Sequence, residues 1–189
     1  MSKKILIVYG TRFGSTEEIS LNFKQILEKK GFLVDLVNLK SKKSGSPKIC
    51  HYSGVLIGSG IRIARWTKEA KNFLKTNIKE INKNRMLVGI FLSSGEASDP
   101  EKRPEIVEKY LVKVFKELGL ELGDHIFYDA FGGVYDLSKN TNLNWINRKM
   151  LRTVAKEDPK IDPYGKRDYR DWDQINKFID QFIAGFQGT

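Results

Sequence analysis

The chain alternates between short apolar runs and longer segments in which apolar residues recur at helical spacing. The apolar runs occupy residues 5–9, 32–39, 54–58, 86–92 and 124–131. The helical segments occupy residues 16–30, 66–81, 101–118 and 171–186. Strands that alternate with helices form βαβ units, and such units build a parallel sheet covered by helices on both faces. The alternation therefore predicts an α/β fold around a five-stranded parallel sheet.

Length and composition, at 189 residues with 40% hydrophobic and 30% charged side chains, are typical of one globular domain. We therefore expect a single domain over residues 1–189. No apolar run approaches the roughly 20 residues of a membrane-spanning helix. Cys50 is the only cysteine, which excludes an intrachain disulfide and favours a cytoplasmic location. The histidines and this cysteine do not have the spacing of a metal site.

A loop rich in glycine and hydroxyl side chains follows the first predicted strand. Its sequence, GTRFGST, covers residues 10–16 and leads directly into a helical segment. Ligands of open α/β sheets bind beyond the carboxyl ends of the strands, and the N–H groups at a helix N-terminus attract phosphate. Gly14 allows close backbone approach because it has no Cβ. The predicted phosphate-binding residues are Thr11, Arg12, Phe13, Gly14, Ser15 and Thr16.

Part of this loop has a simpler explanation. Ser15 and Glu18 have the spacing of a capping box, in which Ser15 is the N-cap and Glu18 reaches back from the third helical position. A cap accounts for these two residues but not for Gly10, Thr11 and Gly14 together. Phosphate binding therefore remains the prediction for the loop.

Two other phosphate-binding motifs are absent. The nucleoside-triphosphate loop requires a lysine directly after its second glycine, and none follows Gly14. The dinucleotide fingerprint requires GxGxxG and an acidic residue at the end of the second strand. Asp35 lies in the middle of that predicted strand, whereas Asn38 lies at its end. A mononucleotide therefore fits the loop better than a dinucleotide.

Four short motifs resemble the flavodoxin-like family, and in particular its menaquinone-dependent protoporphyrinogen oxidases. The motifs are GTRFGST at residues 10–16, IGSGIR at 57–62, PEKRP at 100–104 and DW at 171–172. The resemblance implies a three-layer sandwich with strand order 2-1-3-4-5, with FMN bound through its phosphate at the first loop. It also implies oxidation of protoporphyrinogen IX, a step of haem biosynthesis, with a quinone as electron acceptor.

The same resemblance places the flavin ring between two further loops. The predicted contacts are Ser59, Gly60, Ile61 and Arg62 after the third strand, and Ser93, Ser94 and Gly95 after the fourth. Gly60 and Gly95 would allow backbone contact with the ring. The related enzymes tend to carry aromatic and histidine residues after the arginine, whereas this chain has Ile63 and Ala64. That departure bears on the substrate rather than on the FMN site.

Two larger side chains near the second loop each have two interpretations. Arg62 either places positive charge near the flavin ring or is an exposed surface residue. Trp66 either covers a face of the ring or packs as the first apolar residue of its helix. The sequence alone leaves both choices open.

Residues 132–170 exceed what the five-stranded pattern requires, and they form an insertion before the last helix. Within them, residues 143–155 have helical spacing, and Arg148, Lys149 and Arg152 lie away from the apolar stripe. A basic amphipathic helix can lie on an anionic bilayer. The alternative is a helix packed over the sheet edge with its basic face in solvent. The expected location is therefore the cytoplasm, with peripheral contact at the inner face of the membrane if this helix binds lipid.

The net charge of +10 indicates an anionic partner or a lysine-rich composition without functional meaning. The candidate partners are a carboxylate-bearing tetrapyrrole, an acidic membrane surface and nucleic acid. Nucleic acid is disfavoured because the aromatic residues lie at core spacing and no groove-reading motif is present.

The resemblance implies an enzyme, but a second function stays open. A flavodoxin-type protein that only carries electrons would have the same fold and FMN. Flavodoxins are usually acidic, whereas this chain is basic, which favours the enzyme. His51 and His125 lie at the starts of predicted strands, at the edge opposite the flavin. No catalytic acid or base is therefore predicted.

Overall fold

The computed structural model describes residues 2–41, 47–61, 64–136, 152–153 and 165–187. Its main sheet contains β1 (Lys4–Gly10), β2 (Leu33–Asn38), β3 (Gly54–Gly60), β4 (Leu87–Ser93) and β5 (Ile126–Phe131). The strand order is β2-β1-β3-β4-β5, and all four pairings are parallel. The predicted flavodoxin-like α/β fold with order 2-1-3-4-5 is confirmed.

Helices cover both faces of this sheet. They are α1 (Ser15–Lys29), α2 (Lys68–Asn84), α3 (Arg103–Val107), α4 (Lys113–Leu118) and α5 (Trp172–Ala184). A π-helical stretch, Glu108–Val112, joins α3 to α4. The sequence predicts one regular helix over residues 101–118, so this interruption is a correction. Short 3-10 turns occupy Ile49–His51 and Gly95–Ser98.

Two hydrophobic layers enclose the sheet, because alternate residues of a strand point to opposite faces. Val55 packs with Phe73 of α2 in one layer, whereas its neighbour Leu56 packs with Phe23 and Phe178 in the other. All residues of β3 and β4 are buried. Burial on both faces explains why these strands read as continuous apolar runs rather than alternating ones.

A glycine lies at each end of α1. Gly31 has a φ of 88° and follows the end of the helix, because glycine adopts this left-handed conformation without a Cβ clash. The predicted capping box is wrong. Gly14 is the N-cap, with a φ of 94° and no side-chain cap bond, and Ser15 is already inside the helix. Glu18 instead pairs with Arg170.

The two ends of the insertion pair with each other. β6 (Val134–Asp136) and β7 (Lys166–Asp168) form an antiparallel ribbon directly after β5. Most of the predicted helix over residues 143–155 lies outside the described residues, as do Arg148 and Lys149. Arg152 and Thr153 are described and helical. None of the described helices is long and apolar enough to cross a membrane.

Candidate functional site

A cleft of about 420 Å³ lies at the carboxyl ends of the parallel strands. The sheet register brings its loops together, because Gly10 is opposite Ser59, and Gly60 is opposite Ser93. The predicted residues that line it are Thr11, Arg12, Phe13, Ser15, Thr16, Gly60, Ile61, Ser93, Ser94 and Gly95. Gly14 and Ser59 are absent from the lining, and Arg62 lies outside the described residues. The volume is within the about 300–1,000 Å³ typical of small-molecule sites.

The turn between β1 and α1 presents backbone donors. The N–H of Gly14 donates to Thr11 Oγ1 at 2.9 Å, and the first helical bond runs from Glu18 N to Gly14 O at 3.1 Å. The N–H groups of Ser15, Thr16 and Glu17 belong to the first turn, where an α-helix offers no internal acceptor. They form, with the positive end of the helix dipole, a site suited to an anion.

The acidic side chains of this first turn are bound elsewhere. Glu17 accepts a hydrogen bond of 2.6 Å from the Tyr9 hydroxyl. Burial raises the pKa of Tyr9, and the bond to Glu17 raises it further. Glu18 forms an ion pair of 2.7 Å with Arg170. These contacts hold both carboxylates in fixed places beside α1, and neither residue lines the cleft.

The last two residues of β3, predicted to lie in the loop after the strand, have different roles. Ser59 Oγ accepts from the N–H of Thr67 at 2.9 Å and lies 3.1 Å from Thr67 Oγ1, so this hydroxyl supports the start of α2 rather than the cleft. Gly60 closely approaches the first turn of α1, since a Cβ there would lie 3.3 Å from Thr16 Oγ1.

Trp66 is a core residue and does not line the cleft. Its side chain is buried among the apolar residues of the α2 layer, and its Nε1 donates to the carbonyl of Tyr110 at 2.6 Å. Of the two interpretations of Trp66, packing is therefore confirmed. The helix itself begins two residues later than predicted, at Lys68, with Thr67 as its N-cap.

The loop after β4 is fixed to its neighbours on both sides. Ser93 O accepts from the N–H of Ile61 at 3.0 Å, and Ser94 N donates to Phe131 O at 2.9 Å. A Cβ at Gly95 would lie 2.0 Å from the hydroxyl of Tyr135, so the Tyr135 side chain would have to move to admit one. The three residues therefore hold one wall of the cleft in place.

Six residues that line the cleft were not predicted from the sequence, namely Ala64, Glu96, Tyr110, Gly133, Val134 and Tyr135. Three of them belong to the ribbon or directly precede it. Val134 N donates to Ser15 Oγ at 3.0 Å, which connects the ribbon to the turn between β1 and α1. The glycine pair at residues 132–133 directly follows a predicted strand. It is a local feature of the sequence that could have indicated that the next residues approach the cleft.

The histidines lie where the sequence places them, away from the cleft. His125 directly precedes β5, and His51 ends the 3-10 turn before β3. Both positions are at the amino edge of the parallel sheet, opposite the cleft. Among the residues that the structure describes, no group of histidine, cysteine and carboxylate side chains could hold a metal ion.

Comparison with known proteins identifies the class. A family model described as the flavodoxin domain matches residues 6–162, so the chain belongs to the flavodoxin domain family. Protoporphyrinogen IX dehydrogenase (quinone) from Escherichia coli K12 is 24% identical over 176 residues, covering 93% of this chain and 92% of that protein. The enzyme of the O157:H7 strain matches equally well.

Two solved structures share the fold. Oxidised flavodoxin 2 from Bacillus cereus has a TM-score of 0.53 at 19% identity, covering 98% of this chain and 99% of its own. A short-chain flavodoxin associated with a PDU bacterial microcompartment has a TM-score of 0.55 at 12% identity, covering 97% and 98%. At these identities the likeness shows the fold alone.

The cleft fits the flavin that the family implies. Its first turn offers helix N–H groups to an anion, and Gly60, Gly95 and Gly133 contribute to its lining. Arg12 adds a cation, since the residue lines the cleft and its Nη2 donates to Trp66 O at 3.2 Å. The described residues therefore match the chemistry of a phosphorylated ring compound.

Proposed function

We propose that this protein is an FMN-dependent oxidoreductase that oxidises protoporphyrinogen IX and passes the electrons to a quinone. The observation that carries the proposal is the similarity to protoporphyrinogen IX dehydrogenase (quinone), which extends over 93% of the chain. Coverage of that extent includes most of residues 132–170, the insertion whose stem lines the cleft. The reaction would form part of haem biosynthesis.

FMN is the flavin that the cleft suits best. The site has one phosphate-binding turn, and the chain lacks the dinucleotide fingerprint at that turn. The N–H groups of Ser15, Thr16 and Glu17 would bind the phosphate. The backbone at Gly60 and Gly95 would contact the ring. When bound, the flavin supplies the oxidation–reduction chemistry, and the chain supplies binding, orientation and charge.

The aromatic walls of the cleft would exclude water from the ring. Tyr110 is 7% exposed and lines the cleft from the π-helical stretch. Tyr135 lines it from the ribbon and packs edge to face on Tyr169, with ring centroids 5.6 Å apart.

Lys109 Nζ lies 5.1 Å from the centroid of the Tyr110 ring. This exposed cation is suited to a substrate carboxylate at the rim.

We further infer that residues 1–189 form one flavodoxin-like domain, with residues 132–170 as an insertion. Contact of Arg148, Lys149 and Arg152 with an anionic membrane stays a prediction, since the first two lie outside the described residues. Membrane contact would bring the protein close to a lipid-soluble quinone.

Turnover by the purified protein tests the proposal. The FMN-loaded protein is mixed with protoporphyrinogen IX and a quinone without oxygen, and porphyrin fluorescence is followed. The reduced macrocycle loses hydrogen in successive two-electron steps, and in each step one quinone molecule accepts both electrons and two protons to become a quinol. We expect fluorescence to rise only when protein, FMN and quinone are all present.

A flavodoxin-type electron carrier is the alternative, and it gives a different result. Such a protein would accept electrons from a reductase and would return them to an acceptor, but it would form no porphyrin above the rate without protein. The same preparation therefore distinguishes the two functions. Absence of porphyrin formation by protein that holds FMN would contradict the enzymatic proposal.

A further inference from the structure

Glu96 is the one carboxylate residue among the described residues that line the cleft. It belongs to the 3-10 turn that follows β4, and it is exposed. The other ionisable residues of the lining are Arg12, Tyr110 and Tyr135. A guanidinium has no acceptor for a proton, and phenol hydroxyls keep their own proton at neutral pH. Of these four residues, Glu96 alone is therefore suited to take up a proton.

The turn fixes the backbone of Glu96, whereas its carboxylate forms no ion pair in the described part of the chain. Asp99 N donates to the Glu96 carbonyl at 3.4 Å. The next two cations along the chain are bound elsewhere. Lys102 pairs with Asp99 at 3.8 Å, and Arg103 Nε donates to the Ala97 carbonyl at 3.4 Å. A carboxylate that no cation neutralises can accept a proton from a ligand.

The charge of Glu96 reaches the π-helical stretch that carries Tyr110. The pKa of Lys109 is raised, chiefly by hydrogen bonding to the Tyr110 side chain, and the carboxylates of Glu105 and Glu96 raise it further. A cation and a carboxylate therefore share one part of the rim. The cation is suited to a carboxylate of the substrate, and Glu96 is suited to a group that gives up a proton.

The substrate of the proposed function has protons to lose. Protoporphyrinogen carries hydrogen on its pyrrole nitrogens and on the carbons that bridge its rings. Each two-electron step breaks one bridge C–H bond, whose electron pair the bound flavin accepts, and releases one proton from the macrocycle. Over the whole oxidation two of the three protons come from pyrrole N–H groups, and the third comes from the remaining bridging carbon. Because substrate and flavin meet in the cleft, a base for these protons has to line it.

We propose that the carboxylate of Glu96 is the general base of this oxidation and accepts the proton that leaves the macrocycle in each two-electron step. The inference rests on the proposed function and deepens it by assigning a catalytic residue. Glu96 is exposed, so it passes each proton to water and is ionised again before the next step. The quinone takes its protons from water.

Replacement of Glu96 by glutamine tests the proposal, because the amide keeps an accepting oxygen but takes up no proton. The FMN-loaded protein is mixed with protoporphyrinogen IX without oxygen or quinone, and the decay of the flavin absorbance is followed at several substrate concentrations. We expect the limiting rate to fall at least about a hundredfold, since a positioned base contributes about 100- to 10,000-fold. The substrate concentration that gives half of this rate should stay within about twofold, since an accepting oxygen remains.

Binding measurements show whether Glu96→Gln damages the site instead. FMN affinity is determined by titration, and affinity for protoporphyrin IX is determined from the fluorescence anisotropy of the porphyrin on FMN-loaded protein. Both affinities should be unchanged. A variant that binds FMN or porphyrin much more weakly, with an unchanged limiting rate, would make Glu96 a binding residue and contradict its role as base.

Two further variants distinguish a base from a nearby charge. Glu105→Gln is the matched control, because Glu105 also acts on Lys109 but does not line the cleft, and it should keep the full rate. Glu96→Ala leaves space for a small carboxylate, and added formate should restore part of its lost rate. A structural defect would not respond to formate.

The outcomes separate this inference from the proposed function. If protoporphyrinogen does not bleach the flavin of the unmodified protein, the proposed function is contradicted and the base with it. If the unmodified protein reacts and Glu96→Gln reacts as fast, or formate fails to rescue Glu96→Ala, only the base is contradicted. A loss of rate confined to the Glu96 variants, reversed by formate and without loss of FMN affinity, supports the assignment.

Discussion

Thr16 is a residue of a helix that also lines the cleft. It is only 1% exposed, yet it lines the cleft from the first turn of α1. A Cβ atom added to Gly60 would lie 3.3 Å from the Oγ1 of Thr16. Two loops therefore meet at this hydroxyl, and a phosphate in the turn would lie within its reach.

Replacement of Thr16 by valine keeps the shape of the side chain and removes the donor. We expect FMN affinity to fall about ten- to a hundredfold, since a hydrogen bond to a charged group contributes about 1.5–3 kcal/mol. Isothermal titration with FMN measures the effect. Ser20→Ala is the matched control, because Ser20 Oγ bonds to the Thr16 carbonyl at 2.7 Å without lining the cleft. Equal affinity in both variants and the unmodified protein would mean that Thr16 serves only the helix.

Two glycines of the predicted site show what a sequence pattern can and cannot indicate. Gly14 has a φ of 94°, an unusual backbone conformation that glycine tolerates, although the residue does not line the cleft. A Cβ at Gly95 would meet the Tyr135 hydroxyl, which comes from a distant part of the chain. A local pattern carries no information about such a contact. The role of Tyr135 could therefore be found only from the structure.

The ribbon of β6 and β7 is the element that joins the insertion to the site. The side chain of Arg170, two residues after β7, is only 4% exposed and pairs with Glu18 of α1 and Asp168 of β7. Its guanidinium also stacks on Trp172 at the start of α5, with its Cζ 4.6 Å from the ring centroid. The Arg170 side chain therefore connects α1, β7 and α5, and its ion pairs help to hold these elements in position.

The pH dependence of stability tests this connection. Bonds from Arg170 hold the pKa of Asp168 below its ordinary value. The folded protein is thus stabilised above the ordinary pKa of an aspartate, and that contribution is lost as pH falls through the lowered value. Asp168→Asn should therefore be less stable than the unmodified protein at neutral pH by about 0.5–1 kcal/mol, the range of a partly exposed ion pair. Urea unfolding at several pH values measures the difference.

The two unfolding curves should converge in acid, because the unmodified Asp168 is then protonated and neutral. Asp180→Asn is a suitable control, since this exposed acid lies beyond the first turn of α5 and forms no ion pair within the described ranges. A difference between Asp168→Asn and the unmodified protein that persists unchanged in acid would show that charge is not the cause.

Regular elements were predictable and irregular ones were not. The spacing of Ile19, Phe23 and Leu27 predicted α1 because these residues form one buried stripe. The π-helical stretch has no such signal, since the apolar period around Tyr110 is that of an ordinary helix. Strands of three residues, such as β6 and β7, are too short for periodicity to reveal. The irregular elements contribute Tyr110 and Tyr135 to the cleft.

At the scale of the whole molecule, the sheet separates two edges with different roles. Its carboxyl edge carries the cleft, whereas the amino edge carries both histidines. The alternation of strands and helices was enough to predict this arrangement, because ligands of such sheets bind at the carboxyl edge. What the sequence did not predict is the closure of the cleft by the ribbon, which depends on contacts between distant segments.

The identity of the bound flavin is the most direct test of the account. The protein is purified, its cofactor is released by acid, and the mass of the cofactor is determined. Protein stripped of its cofactor is then offered FMN, FAD and riboflavin in parallel. We predict that FMN is released and that the stripped protein takes up FMN in preference to the other two. Release of FAD alone, or failure of the stripped and refolded protein to take up FMN, would contradict the account.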